Sequence, residues 1–312
     1  MLEFAGIPFR EHDSVTQRDT MHPQTKPLCH DLLVTLRLAA LVLLPISSAM
    51  AANLDVFHAD SLAGPMRELK RAFETTHTGI VVNLTSGVSR DLAGRILKGD
   101  RCDVFAPSSP AVIEDDLMNG RIAGSDKPAA SWYVVFSGNE MVVITAKGNP
   151  LGIRQASDLA RPEVKFVRVT GDKDLATGRT IEFLKRATAQ EGNLALAQKI
   201  VDSAIVDPAK PTTVPEAVNA VKDGRANAGV VYYSAAVAAR NDVDIVRFPD
   251  TVNMSEAIRN AATVPATTRN ADEAMQFVGF LLSAEARQIL KDTGQPPVVP
   301  AARKGAVPAE IN

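Results

Sequence analysis

The chain has 312 residues, of which 46% are hydrophobic, 22% charged and only 5% aromatic, and its formal net charge is -2 at pH 7. That composition is ordinary for a globular chain long enough to bury two modest cores. It excludes a nucleic-acid footprint, which needs clustered basic charge, and it offers no basic patch for a membrane surface.

Lys26, His30 and Arg37 precede an apolar run from Leu38 to Leu44, and Ser48, Ala49, Met50 and Ala51 follow. A basic flank, a short apolar stretch and small residues at Ala49 and Ala51 fit a secretory leader cleaved after Ala51. Residues 1–51 are therefore expected to be removed, with Met21 the more natural first residue, and the product is expected in the periplasm. The apolar run is shorter than the roughly 20 residues a membrane-spanning helix needs. Cys29 falls in the leader and Cys102 is left alone, so no internal disulfide is expected and Cys102 reads as a packing residue.

Strand and helix signals then alternate. Leu54 to His58 reads as a strand, Leu62 to Thr76 as a helix with Leu62, Met66, Leu69 and Phe73 on one face, and Gly79 to Leu84 as a second strand. Ser89 to Lys98 is a helix stopped by Gly99, Asp103 to Ala106 a third strand, and Ala111 to Met118 a further helix. This order predicts an α/β fold with mainly parallel sheets flanked by helices.

Glu140 to Thr145 is a strand ended by Lys147, Gly148, Asn149 and Pro150, and it marks a first passage into a second lobe. That lobe continues with a strand at 165–169, helices at 177–187, 194–201 and 215–222, and strands at 228–232 and 243–248. Pro249 and Asp250 mark the return, and helices at 271–282 and 284–291 rejoin the first lobe. The expected organisation is one lobe from 52–139 plus 253–312 and another from 140–252. The Pro-rich end, Pro296 to Pro308, reads as a loosely ordered tail.

In open α/β sheets ligands bind beyond the carboxyl ends of strands. Ser61 follows the first strand and is placed to cap the next helix, Ser86 and Ser89 follow the second, Thr177 and Gly178 open a helix in the second lobe, and Tyr232 ends a late strand. Hydroxyls and free backbone N–H groups at helix starts suit a dehydrated anion, since both donate to its oxygens and the helix dipole favours negative charge. The same residues taken singly are ordinary helix caps and core groups; only convergence from two lobes would make them a site.

Set in order, these segments resemble the molybdate- and tungstate-binding family of periplasmic receptors. Val56 to Leu62 is similar to the family's opening strand, which supplies a first ligand serine, here Ser61. Ser86 to Ile96 resembles its second serine segment, with the ligand serine at Ser89 and Ser86 beside it. Asp103 to Ala106 matches a family strand, and Thr170 to Gly178 resembles a loop whose backbone donor falls at Thr177. Val214 to Tyr232 keeps the spacing between a valine N–H donor and a ligand tyrosine. The resemblance runs from Asn53 to about Gly294. It implies a two-lobed type II periplasmic-binding fold, a monomer that needs no cofactor and no metal, clamps a small tetrahedral oxyanion between its lobes and delivers it to an ABC transporter permease.

The chain departs from that pattern at Ala176 and Thr177, and at Arg179, a bidentate oxyanion binder in type. Arg179 keeps sulfate, phosphate or a small organic anion open as ligands. Asp60 has no family counterpart and would repel a dianion unless it is turned away or hydrogen-bonded. Ferric iron, through Tyr232 and Tyr233 with His58 nearby, is a second reading, since hard Fe³⁺ suits phenolate oxygen. A hydrolytic enzyme is the remote one: no nucleophile elbow, phosphate loop or zinc-protease motif is present.

Overall fold

The computed structural model describes residues 52–207 and 209–311. The expected leader, its cleavage point and Cys29 lie outside them. Among the described residues no helix is long and apolar enough to cross a membrane.

The first lobe opens with β1 (Ala52–Ala59), a 3-10 turn (Asp60–Leu62), α1 (Ala63–Thr76), β2 (Ile80–Gly87), α2 (Ser89–Leu97) and β3 (Val104–Ala106). These strands form a parallel 3-stranded sheet in the order β2-β1-β3, with Val56 opposite both Leu84 and Val104. β1 is covered on both faces, as central parallel strands are: Leu54 and Val56 enter one apolar cluster and Phe57 another. α1 presents Met66, Leu69 and Phe73, three and four residues apart, to the same core. A short α3 (Pro110–Val112) runs straight into a π-helical turn, Ile113–Met118, where sequence periodicity predicts a regular helix.

β4 (Trp132–Gly138) carries the chain to the other lobe, which begins at β5 (Met141–Ala146). There follow β6 (Phe166–Arg168), α4 (Leu175–Gln190), α5 (Leu196–Asp202), α6 (Val214–Lys222), β7 (Ala228–Tyr232), α7 (Tyr233–Ala238) and β8 (Val243–Val246). This 4-stranded sheet, β6-β7-β5-β8, is mixed: β6 and β7 are parallel, while β5 runs antiparallel to β7 and β8. The chain returns through β9 (Arg259–Ala262), α8 (Ala271–Leu281), α9 (Ala284–Asp292) and β10 (Pro297–Gly305). β10, β4 and β9 form an antiparallel sheet tied to β3 by a bridge between Phe105 and Thr263.

The expected loose tail is thus corrected: residues 297–305 are the strand β10, paired with β4. Its prolines are tolerated because β10 is an edge strand and Pro300 falls within a register shift between Pro297 and Ala302. β4 and β9 were not legible as strands; β9, with Arg259 and Asn260 at its start, shows no apolar alternation.

Buried apolar side chains divide by lobe. One cluster runs from Met141 to Ile258, and two others draw on Leu54 to Phe136 and on Ala261 to Ile311. Between them the crossings are polar and tightly bonded. Glu140, only 5% exposed, receives Arg247 Nε at 2.6 Å and Asn253 Nδ2 at 2.8 Å. The Met141 N–H donates to the Asn253 carbonyl at 2.8 Å, and Asn253 Oδ1 accepts the Ser255 N–H at 2.9 Å. Outward and return crossings are therefore one hydrogen-bonded unit.

Asn253→Ala should leave the buried Glu140 carboxylate short of a donor and destabilise the protein by about 1–3 kcal/mol. Thermal unfolding should report it as a lower midpoint, by about 2–4 °C for each kcal/mol.

Candidate functional site

β1, β2 and β3 end together, and the turns that follow them form one wall of a cleft. The 3-10 turn after β1 buries Ser61, which is 3% exposed. Its backbone carbonyl accepts Ser234 Oγ at 2.5 Å and Gln295 Nε2 at 3.2 Å, so the residue is held from the other lobe and from the segment after α9. Its hydroxyl has no partner among the described residues. The expectation that Ser61 caps α1 is corrected: Leu62 occupies the cap position and no side-chain cap bond forms.

After β2, Val88 takes the N-cap of α2 and Ser89 becomes its first helical residue. Ser89 Oγ accepts the Ser108 N–H at 3.3 Å, which leaves the Ser89 proton free to donate elsewhere. Ser108 belongs to the turn after β3 and is buried. Ser86, still on β2, donates its hydroxyl to Asp60 Oδ1 at 2.5 Å, which engages one oxygen of that carboxylate.

The facing wall comes from helix starts of the other lobe. Asp174 caps α4, with Oδ1 accepting the Ala176 N–H at 2.9 Å. Thr213 caps α6 in a reciprocal box with Glu216. Pro215 has no N–H and the Glu216 N–H is held by Thr213, so the Val214 N–H is the donor its first turn leaves open. Tyr232 ends β7 with its ring buried, and its hydroxyl accepts Arg179 Nη1 at 2.7 Å. Arg179 Nη2 continues to the Ser108 carbonyl at 2.9 Å, spanning the two lobes.

These turns border a small cleft, partly open to solvent, whose free volume is about 10 Å³, room for about one water molecule as it stands. Ser61, Ser89 and Ser108 line it from one lobe, and Asp174, Leu175, Val214 and Tyr232 from the other. Of the sequence-predicted site residues, Ser61, Ser89, Val214 and Tyr232 are therefore brought together. Ser86 stands behind Asp60, and Arg179 stands behind Tyr232 and Ser108. Thr177 is not brought to the cleft: it lies one turn into α4, its hydroxyl donates to the Gly171 carbonyl at 2.9 Å and its N–H to Asp174 O at 3.0 Å. Leu175 lines the space in its stead, because with Asp174 as cap the helix starts at Leu175, two residues before the glycine-based match puts the donor. Ser108, Asp174 and Leu175 were missed by sequence reasoning. An acidic residue just before Leu175 and Ala176 is a helix-start signal that would have exposed the shift.

Burial pushes the Tyr232 phenol up, with Arg179 pulling against it, so the ring keeps its proton at neutral pH. Burial lowers His58, whose Nδ1 lies 2.9 Å from the Ala59 carbonyl and so carries the proton of a neutral ring. Tyr233 faces away from this arrangement, its ring under the Arg247 guanidinium at 4.6 Å. Among the described residues there is no group of three or more His, Cys, Asp or Glu able to hold a metal ion. Cys102 is buried, its thiol pushed up by desolvation. What the cleft offers is a set of uncharged O–H and N–H donors with one guanidinium behind them and two carboxyl groups, Asp60 and Asp174, on its walls.

Residues 54–295 match the family described as bacterial extracellular solute-binding protein. The chain belongs to that family. Within it, the molybdate-binding protein ModA of Mycobacterium tuberculosis is 28% identical over 246 residues, covering 78% of this chain and 84% of that one. Among solved structures, the periplasmic molybdate-binding protein of Azotobacter vinelandii superposes with a TM-score of 0.60 at 21% identity, covering 79% of this chain and 99% of that one. The sulfate-binding protein SubI of M. tuberculosis gives a TM-score of 0.60 at 18% identity, covering 80% and 88%. The two-lobed α/β architecture is the fold this chain shares with these solved structures.

A family cleft predicts an asymmetry for Ser61. Because its hydroxyl meets no partner among the described residues, Ser61→Ala should leave the unliganded melting midpoint unchanged or raise it, by up to about 1–3 kcal/mol as the unmet buried donor is removed. A fall of several degrees on thermal denaturation would mean that the hydroxyl has a structural partner.

Proposed function

We propose that this protein captures a small tetrahedral oxyanion, molybdate or tungstate before others, in the cleft between its lobes and delivers it to the permease of an ABC importer. The observation that carries the reading is the Ser61 hydroxyl, buried and unpaired at the edge of a cavity lined from both lobes. A buried donor without an acceptor is costly, by about 1–3 kcal/mol, and an anion oxygen would relieve it. Ser89 and Tyr232 add to this, since each hydroxyl accepts a bond within the protein and keeps its own proton to give. The backbone N–H groups of Val214 and Leu175 complete the donor set, each at a helix start whose dipole contributes about 0.3–1 kcal/mol or more when partly buried.

Residues 52–139 with 253–312 form one lobe of this reading and 140–252 the other. Met254 and Ile258 also pack into the second core, which supports a return hinge a few residues beyond 252. Closure about the bonded crossings would dehydrate the ion, as in other hinge-bending receptors. The protein acts as a monomeric binder, not an enzyme, and works in the periplasm after loss of its leader. Sulfate is the second reading, favoured by Arg179, which stands against Tyr232 and could follow an anion of different size.

A thermal-shift screen of molybdate, tungstate, sulfate, phosphate and ferric ion tests the ligand. Molybdate or tungstate at a hundred times its Kd should add about 2.7 kcal/mol of stability; no shift with either, beside a shift with another ligand, would reassign it. Ser89→Ala should weaken binding by about 1–3 kcal/mol, read by calorimetry. Arg179→Ala separates the two anion readings: unchanged molybdate affinity makes the guanidinium a support for Tyr232, and lost affinity makes it a ligand-pairing cation.

A further inference from the structure

The cleft that gathers neutral donors also receives a carboxyl group. Asp174 lines it beside Ser89, Ser108 and Tyr232. As the cap of α4 it uses Oδ1 to hold the Ala176 N–H at 2.9 Å, and Oδ2 meets no donor among the described residues. Charged and titratable groups surround it on every side. Arg179 lies further along α4. Lys173, in the preceding loop, is turned to Asp91 of α2 at 2.9 Å. Asp60, across the cleft, has Oδ1 occupied by Ser86. Tyr232 stands at the end of β7, and His58 is buried at the end of β1 with its Nδ1 on the Ala59 carbonyl.

An ionised carboxylate in this position would face a bound dianion with like charge. A protonated one becomes a hydrogen-bond donor of the same kind as the hydroxyls around it. We propose that Asp174 is a specificity-determining residue of the cleft: it binds the oxyanion as a neutral acid, donating its proton to a ligand oxygen, so that capture of a fully ionised anion takes up a proton from solvent. The inference rests on the oxyanion reading above and adds its proton stoichiometry. Even without ligand, burial pushes the Asp174 carboxyl up, the Ala176 N–H pulls it down, Asp60 pushes it up and Arg179 pulls it down. A bound anion adds a further upward push.

The sign of the pH dependence follows. The complex holds the proton more tightly than the free protein does, so affinity falls as pH rises between the carboxyl pKa of the free form and that of the complex, by about tenfold per pH unit at the steepest. Outside that window it is flat. Asp174→Asn keeps a good helix cap, offers an amide N–H in place of the acid proton and does not titrate.

Calorimetric titration of the secreted protein with molybdate, from about pH 5.5 to about pH 8.5 in buffers of different ionisation enthalpy, tests it, with sulfate as a second dianion. Wild type should lose about tenfold or more in affinity across the range and take up protons on binding, while Asp174→Asn should be flat and bind no more weakly than wild type at the upper end. Anion binding with a flat wild-type profile overturns the role of Asp174 and leaves the oxyanion reading intact. A slope that Asp174→Asn retains overturns it equally, assigning the proton to another group such as His58. Absence of binding to either anion at every pH, in both proteins, removes the oxyanion reading and this inference with it.

Discussion

The structure turns on a hydroxyl with no partner among the described residues. Ser61 is fixed through its backbone carbonyl, which takes hydrogen bonds from Ser234 and Gln295, while its side chain is left open in the cleft. The partners that fix it lead to the crossings. Ser234 is bonded in both directions to Asn139, and Gln295 Oε1 accepts from Ser137 and Asn260 at 2.9 and 2.6 Å. Hinge and ligand wall are therefore parts of one buried polar network. Such networks are rigid when satisfied; this one leaves the Asn260 Oδ1 acceptor and the Ser61 hydroxyl open, and of the two it is the Ser61 donor that lines the cleft.

The same economy governs the helix starts. A side chain that caps its own helix has spent its acceptor there and blocks the free N–H groups behind it. In α2, α4 and α6 the caps are Val88, Asp174 and Thr213, and the residues lining the cleft from those turns include Ser89, Leu175 and Val214, each one position later. Val88 makes no side-chain cap bond at all. Displacing the donor residue to the first helical position keeps its N–H or hydroxyl clear of the helix's own bonding, and it explains how ordinary cap chemistry and a donor shell coexist on one turn.

Much of this was legible in the sequence, and the parts that were not have physical causes. Apolar spacing at Met66, Leu69 and Phe73, or at Val230 and Val231, marks elements that bury a face, and those elements stand where periodicity puts them. β9 and β10 escape notice because an edge strand with prolines and a strand opening on Arg259 and Asn260 draw their order from pairing with β4, a partner far away in sequence. Ser61, Ser89 and Tyr232 were singled out because a strand end followed by a hydroxyl or a helix start is a local pattern, whereas Val214 came from the family resemblance alone. Thr177 was misplaced relative to the cleft because a glycine-anchored match locates the loop but not the residue that caps α4. The pairing of Arg179 with Ser108 across the cleft, set by tertiary approach alone, carries no local signal.

Direct contacts between the lobes on the cleft side are apolar at Leu175, which packs against the first-lobe cluster around Phe57, and otherwise include polar pairs. Lys173 and Asp91 meet at 2.9 Å with their side chains 70% and 54% exposed, a surface ion pair worth little in water. Arg179 reaches Ser108 through a single hydrogen bond to a carbonyl. Opposed to these are Asp60 and Asp174, acidic groups on facing walls of the same space. Without an occupant the closed arrangement gains little from its ion pair and leaves a buried hydroxyl unsatisfied; the contacts that favour closure most are those an anion would make with donors from both lobes at once. A receptor built this way draws most of its closure from what it carries, because an anion would add bonds to both halves beyond the Lys173–Asp91 pair and the Arg179–Ser108 bond.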